Sequence, residues 1–309
     1  MSEIEEIDEE LEEELEETPE EDSEESIEND SEEEIMEPDA ETQNGSFKIK
    51  KENSRILKGI IETLASIIDE TEFLVTPDEF TITAMDQSRI CLLKLTIKKD
   101  DFDEYECDKD CKVGLNLDDL DKIFKRSSTN DAIELQFNEK DQKITIKMQK
   151  EDSTRVRTFS LSLLDIDIEE VPMDSLLKIE YPSKWGIEPD LVVEAIKDAE
   201  IYAEILNLKA EQGKGLTFSS SGQIGEMRYE LDEDDLIGAN LNETQSGSYS
   251  LTFLKAILKI ASITETLEMS LRSDHPLRMI FNILEGGELS YFLAPRVVEE
   301  SDSDDMDEF

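Results

Sequence analysis

The chain is 309 residues long, with 80 Asp and Glu against 31 Lys and Arg, a single His and a formal net charge of -49. So acidic a protein is excluded from gripping DNA over its whole surface, because affinity for duplex comes largely from Lys and Arg replacing phosphate counterions. No apolar run approaches the ~18 residues of a membrane span, and the N-terminus lacks the positive flank and apolar stretch of a secretory signal, so a soluble intracellular protein without membrane contact is expected.

The charge is uneven along the chain. Residues 1–46 hold 24 acids and no base, and residues 299–309 hold 7 acids and no base, which leaves 49 acids against 31 bases in between. The first 46 residues are too poor in apolar side chains to offset the entropy of ordering, so a disordered acidic extension is predicted there. Ile4, Ile7, Leu11 and Leu15 share one helical stripe, which leaves a transient acidic helix as the other reading, opposed by like charges at i, i+4. Residues 299–309 form a second acidic tail.

Beyond the extension, Ile56, Leu57, Ile60, Ile61, Leu64, Ile67 and Ile68 recur at helical spacing, with Arg55, Lys58 and Glu62 on the other side. Phe80, Ile82 and Ala84 alternate as a strand with one buried face. Cys107 and Cys111 have a spacing found in some zinc sites, but a structural site needs four ligands and no second Cys pair or clustered His exists, so they read as buried or half-buried thiols. A second helix points Leu117, Leu120, Ile123 and Phe124 inward, with Asp118 and Asp119 in its first turn. Two more alternating runs follow, Ile133, Leu135, Phe137 and Ile144, Ile146, Met148.

The pattern then recurs. An offset of 134 carries Leu117, Leu120, Ile123 and Phe124 onto Leu251, Leu254, Ile257 and Leu258, and Ile133, Leu135 and Phe137 onto Leu267, Met269 and Leu271. Offsets of 135 and 136 carry Ile144, Ile146 and Met148 onto Met279, Phe281 and Ile283, and Phe80, Ile82 and Ala84 onto Leu216, Phe218 and Ser220. A repeat this regular implies one duplicated unit. The fold class is therefore α+β, each copy holding two helices packed on antiparallel sheets. The expected organisation is a first domain over 47–163, an acidic connecting loop over 164–180 containing Pro172, and a second domain over 181–298.

Catalytic chemistry is hard to find. Gly213, Lys214 and Gly215 resemble part of a phosphate loop but stand at a hairpin ahead of a strand. His275 lies in a turn, Asp274-His275-Pro276-Leu277, with no nucleophile or orienting partner named by the sequence. Asp165, Asp167 and Glu169 alternate like a metal cluster within a linker whose acidity favours a solvated charge run. No enzyme, metal or cofactor is expected. Charge is sorted by element instead: Lys122, Lys125 and Arg126 share one helix face, Lys255 and Lys259 share the equivalent face of the repeat, and Lys58 and Lys197 lie on the outer faces of the other two helices. Spacing alone leaves two readings, the lysines that any amphipathic helix exposes, or a basic face turned toward a polyanion.

Three stretches carry a resemblance to a known family: Ala84-Met85-Asp86-Gln87-Ser88-Arg89-Ile90-Cys91-Leu92-Leu93-Lys94-Leu95, Phe102-Asp103-Glu104-Tyr105-Glu106-Cys107-Asp108, and Leu289-Ser290-Tyr291-Phe292-Leu293-Ala294-Pro295-Arg296. With the duplication, the chain from Phe47 to about Val298 resembles the sliding clamps of the proliferating cell nuclear antigen (PCNA) type, particularly the archaeal ones. The resemblance implies a ring-forming trimer that encircles duplex DNA without reading its sequence. It also implies a processivity factor for DNA polymerase that meets the clamp loader, flap endonuclease and ligase through short Gln/aromatic peptides. The place would be the archaeal cytoplasm, at the nucleoid, or the nucleus of a eukaryote.

By the same resemblance Lys58, Lys122, Lys125, Arg126, Lys197, Lys255 and Lys259 face DNA, while Gly59 and Ala65 stand at channel positions often basic in the family. The partner pocket would comprise Met85, Ile90 and Leu92, then Val171 and Pro172 of the linker, and Pro276, Phe292, Leu293, Ala294 and Pro295. The subunit interface would pair a strand holding Arg155, Arg157 and Phe159 with one holding Glu226, Arg228 and Glu230, opposite charges biasing the register. The competing reading is a paralogous ring subunit or a non-clamp scaffold regulated by its acidic N-terminal tail.

Overall fold

The duplicated hydrophobic pattern is a duplicated structure. A computed structural model describes residues 45–150, 153–166 and 171–296. The expected N-terminal helical stripe, the acidic tail 299–309, and Asp167 and Glu169 lie outside these residues.

The first copy runs β1 (Ser46–Lys51), α1 (Arg55–Ala65), β2 (Glu70–Val75), β3 (Glu79–Met85), β4 (Cys91–Lys98), β5 (Glu104–Cys107), β6 (Cys111–Asn116), α2 (Leu117–Phe124), β7 (Asp131–Asn138), β8 (Lys143–Lys150) and β9 (Val156–Ser162). A five-residue helix, α3 (Met173–Leu177), interrupts the connection. The second copy repeats the order as β10 (Ser183–Ile187), α4 (Pro189–Ala199), β11 (Ile205–Glu211), β12 (Gly215–Gly222), β13 (Gly225–Leu231), β14 (Ile237–Leu241), β15 (Gln245–Ser250), α5 (Leu251–Ile257), β16 (Leu267–Leu271), β17 (Leu277–Ile283) and β18 (Gly287–Leu293). β1 begins one residue inside the acidic extension as delimited from composition, because Gly45 is already tied to Glu139 by two hydrogen bonds, N–H to Oε2 at 2.8 Å and carbonyl to N–H at 2.9 Å.

Each helix forms where the apolar stripe allows one face to be buried. Leu57, Ile60, Ile61 and Leu64 of α1 and Leu117, Leu120 and Phe124 of α2 are buried. Burial of each such side chain contributes roughly 1.5 to 3 kcal/mol, more than intrinsic propensity supplies in so short a helix. The Asn116 side chain caps α2 by accepting from Asp119 N–H at 3.0 Å, and Pro189 opens α4 with a preset φ. α1 stops three residues before its apolar stripe does. The N–H groups of Ile67 and Ile68 turn back to the Leu64 carbonyl, and β2 follows at Glu70.

The sheets show how the copies join. Copy one contributes a five-stranded sheet, β5-β1-β7-β8-β9, and copy two a four-stranded sheet, β13-β12-β11-β15. Their counterparts are fused into a single nine-stranded sheet, β14-β10-β16-β17-β18-β4-β3-β2-β6, by antiparallel pairing of β18 with β4. One buried apolar cluster therefore runs through both copies. On the helical side α1 lies against α2 and against the 3-10 segment Leu258–Ile263 that continues α5, which also meets α4.

Gly59 belongs to that helix contact. A Cβ built on it would lie 3.0 Å from Ile263 Cδ1, and Arg55 donates to the Ser262 carbonyl at 2.7 Å. The glycine is thus a close approach between the copies, where a larger side chain would meet Ile263. Gly213 and Gly215 take φ of +74° and +93° in the β11–β12 hairpin, as expected of a turn. Cys107 and Cys111 are free thiols whose Sγ atoms donate to the Lys109 carbonyl at 3.0 and 3.3 Å, and burial pushes Cys107 up to about 11. Among the described residues no helix is long and apolar enough to cross a membrane.

Candidate functional site

Three features of the outer surface bear on function: an apolar cluster beside the linker, the helical layer, and two strands that end their sheets. The first is built on cross-strand register. Met85 pairs with Leu92, Leu92 with Phe292, and Phe292 with Arg278, so four strands, β3, β4, β18 and β17, line up one row of side chains. Because side chains alternate, this row leaves the sheet on the face opposite Leu93 and Leu293. Leu92 and Phe292 form a cluster apart from the main core, joined by Met85, Val171, Met173 and Leu176. The Arg278 guanidinium carbon lies 5.9 Å from the centre of the Phe292 ring.

Of the expected pocket residues, Met85, Leu92, Val171 and Phe292 come together here. Pro276 and Ala294 follow one residue beyond the Leu277–Leu293 pair, both half-buried, and Ala294 N–H donates to the Ile90 carbonyl at 2.8 Å. Pro295 is half-buried and Pro172 is exposed. Leu293 is the exception: fully buried, it belongs to the main core, since its neighbour Phe292 already takes the outer face. Ile90 also packs on the main core. Met173 and Leu176 join the cluster without having been expected in it, although Pro172 followed by apolar residues at i, i+3 is a helix-start signal.

A loop anchored by Asp86 holds one end of the row. Its buried carboxylate accepts from Ile90 N–H at 2.7 Å, Cys91 N–H at 2.6 Å, Ser88 N–H at 3.0 Å and the Ser88 hydroxyl. Burial opposes ionisation, but these donors outweigh it and hold the carboxyl below the usual aspartate range. Beside the loop opens a cleft of about 350 Å³ lined by Glu70, Thr83, Met85, Gln87, Arg89 and Val171.

On the helical layer, four of the seven expected DNA-facing cations are engaged within the chain. Lys58 donates to the Ser127 carbonyl at 2.9 Å, Lys122 pairs with Asp119 at 2.7 Å, Lys125 with Asp121 at 2.6 Å, and Lys255 with Glu200. Arg126, Lys197 and Lys259 are exposed, and their side chains make no hydrogen bond or ion pair among the described residues. Residues 55–66, 117–126, 189–200 and 251–263 hold eight basic and eight acidic residues, so the helical layer is neutral within an acidic body.

The third feature is topological. β9 ends the five-stranded sheet and β13 ends the four-stranded one, each paired on one side only. Phe159, Leu161 and Leu163 alternate as half-buried residues along β9 and its end, as do Met227 and Tyr229 along β13. Arg157 is already engaged inside the chain, pairing with the buried Asp131 at 2.7 Å and donating to the Arg126 carbonyl at 2.8 Å. Arg228 grips Glu230 on its own strand at 2.6 Å.

The family comparison rests on the same span. Residues 46–171 match the N-terminal domain of proliferating cell nuclear antigen, and residues 195–296 match its C-terminal domain. A DNA polymerase sliding clamp of Thermofilum pendens is 33% identical over 248 residues, covering 79% of this chain and 97% of the relative. This chain belongs to the proliferating cell nuclear antigen family. Further DNA polymerase sliding clamps, from Nitrosopumilus maritimus and Pyrococcus abyssi, are each 29% identical over 82% of the chain and 99% of their own length. The role that comes with the family is that of a sliding clamp, a non-catalytic processivity factor, and these relatives are archaeal. Residues 1–45 of the acidic extension fall outside the matched residues.

Proposed function

We propose that three copies of this chain close into a ring around duplex DNA and tether DNA polymerase, clamp loader, flap endonuclease and ligase through short Gln/aromatic peptides seated on the Met85–Leu92–Phe292 row. The observation that carries the reading is the unequal treatment of equivalent edges. β18 and β4 are paired inside the chain, whereas their repeat counterparts β9 and β13 have no partner on the corresponding side.

Transposing the internal ladder gives the intersubunit one. Leu161 occupies the place of Tyr291 and Phe159 that of Leu289, by their pairings with β8 and β17; Met227 and Tyr229 occupy the places of Leu93 and Leu95, by their pairings with β12 and β3. Since Leu289 faces Leu95 and Tyr291 faces Leu93, Phe159 of one subunit faces Tyr229 of the next and Leu161 faces Met227. The half-buried apolar residues of both edges are thereby covered. In the same register Glu230 meets Thr158 and Glu226 meets Ser162. Apolar pairs, rather than charges between Arg155 or Arg157 and Glu226 or Glu230, carry the contact.

A neutral helical layer suits encirclement. Retention comes from topology, so contacts to phosphate need only be weak, and unpaired Arg126, Lys197 and Lys259 supply them without arresting sliding. The deciding experiment loads the protein onto a nicked circular plasmid and then cuts the plasmid once at moderate salt. Retention on the circle and rapid loss after linearisation is expected; loss at the same rate from both forms excludes encirclement.

A further inference from the structure

Leu92 is 4% exposed and Phe292 only 1%, although both lie on the outer face of the sheet, because a piece of the chain itself covers them. That piece is α3. Its first residue, Met173, is 7% exposed and packs with Leu92 and Phe292, while Val171 and Leu176 close the sides against Met85. An incoming peptide therefore meets Met173 before it meets the floor of the site.

The covering segment is attached lightly. Among the described residues, the backbone hydrogen bonds of residues 171–179 stay within that stretch: Met173 N–H to the Val171 carbonyl at 2.7 Å, Ser175 and Leu176 N–H to the Pro172 carbonyl at 3.2 and 3.3 Å, and Ile179 N–H to the Leu176 carbonyl at 3.2 Å. Firm attachments come further out, where Leu164 N–H donates to the Gly114 carbonyl at 2.9 Å upstream and the Tyr181 hydroxyl donates to the Pro276 carbonyl at 2.9 Å downstream. α3 has no side-chain cap and is shorter than an independently stable helix. Lifting Val171, Met173 and Leu176 breaks no rung of the sheet and exposes a preformed apolar floor.

We propose that Met173 is a built-in plug: α3 occupies the partner pocket in the free clamp, and a partner's aromatic residues bind by displacing it. The inference rests on the pocket reading given under Proposed function and adds its regulation. A methionine suits the role, since its unbranched thioether fills an irregular gap without locking into it. The occupied state lowers the apparent affinity of every partner by the fraction of pockets that stand open, so the plug sets a common threshold that weak peptides fail and strong ones pass.

The test turns on a sign. If Met173 were simply part of the wall, Met173→Ala would weaken peptide binding; as a plug, its truncation strengthens binding, on the order of tenfold if one pocket in ten is open in the native chain. Binding of a fluorescent Gln-Ala-Ser-Leu-Ala-Ser-Phe-Phe peptide to the full chain and to the variant gives the comparison. In parallel, the reactivity of Met173 toward dilute hydrogen peroxide, read by mass spectrometry on the unaltered chain, must rise when the peptide is added. Equal or weaker binding by Met173→Ala, or a Met173 that stays protected in the peptide complex, overturns the plug. Failure of both proteins to bind at millimolar peptide instead removes the pocket reading and the inference with it.

Discussion

The ring contact can be tested one face of a strand at a time. In the proposed ring, transposing the internal register would set Leu161 of β9 against Met227 of the neighbouring subunit and the adjacent Ser160, on the opposite face, against Arg228. Leu161→Asp places a carboxylate in an apolar contact with no cation opposite it. Taking ~3 kcal/mol for an unpaired polar group in such a place, each contact weakens by roughly 150-fold. Separation of a trimer into monomers breaks three of them, so the overall equilibrium shifts by about 9 kcal/mol. Ser160→Asp adds instead an opposite charge across the ladder to Arg228, worth ~0.2 to 1 kcal/mol in favour of the ring. Sedimentation velocity over a dilution series distinguishes them, with circular dichroism confirming that both variants fold; both side chains are at least partly solvent-accessible in the single chain, so the fold tolerates the change. A trimer unaffected by Leu161→Asp, or disrupted equally by Ser160→Asp, refutes the register.

Three further outcomes follow from the site. Leu92→Arg puts an unpaired charge on the pocket floor and should weaken the Gln/aromatic peptide by at least ~100-fold with the trimer intact; undiminished binding by titration removes the pocket assignment. Replacing Arg126, Lys197 and Lys259 by Ala should lower the slope of log affinity against log salt by about 0.9 for each phosphate that is no longer neutralised, with no change in melting temperature, whereas a slope equal to that of the parent chain takes these residues off the DNA face. Asp86→Asn removes the charge from an acceptor of four hydrogen bonds and should cost ~1.5 to 3 kcal/mol of stability at neutral pH. Because the native carboxyl is held below its ordinary value, its stabilising effect is complete above about pH 3.9 and disappears as pH falls through the lowered value; the gap between parent and variant must therefore close on acidification, and a gap constant to pH 2 contradicts the linkage.

What is legible in the sequence is what repeats. Alternation at Ile133, Leu135 and Phe137 and helical spacing from Leu57 to Leu64 each require one buried face, and the offset near 134 requires the same faces twice. α1 and α4 are indeed 11 residues each, at that offset. What escapes depends on neighbours distant in sequence. Nothing local to Gly59 announces Ile263, 204 positions away, at 3.0 Å from a Cβ built on the glycine. Arg157 looks available for a neighbouring subunit because Asp131 stands 26 positions before it. α3 is too short for periodicity to register, and only the fold brings it over Leu92 and Phe292.

The repeat also explains why a ring of six similar halves would offer three partner sites rather than six. The register that places Met85 beside Leu92 and Leu92 beside Phe292 places Ser221 beside Glu226 within the second copy, and in the proposed ring it would place Glu226 opposite Ser162 of the next subunit. In the proposed ring the two kinds of junction would share one backbone arrangement, yet an apolar row at one would be replaced by Ser-Glu-Ser at the other. Physical necessity lies behind the difference. The internal junction lies within one chain, and α3 of the linker covers its apolar row, so Leu92 and Phe292 are buried in the single chain. The proposed intersubunit junction would exist only after assembly; Ser162, Ser221 and Glu226 are all exposed in the single chain. An apolar row there would present an open, sticky strand edge on every unassembled subunit. Polar residues at those three places keep the free edge polar while, in the proposed ring, Phe159, Leu161, Met227 and Tyr229, on the inward face, would supply the affinity that closes it.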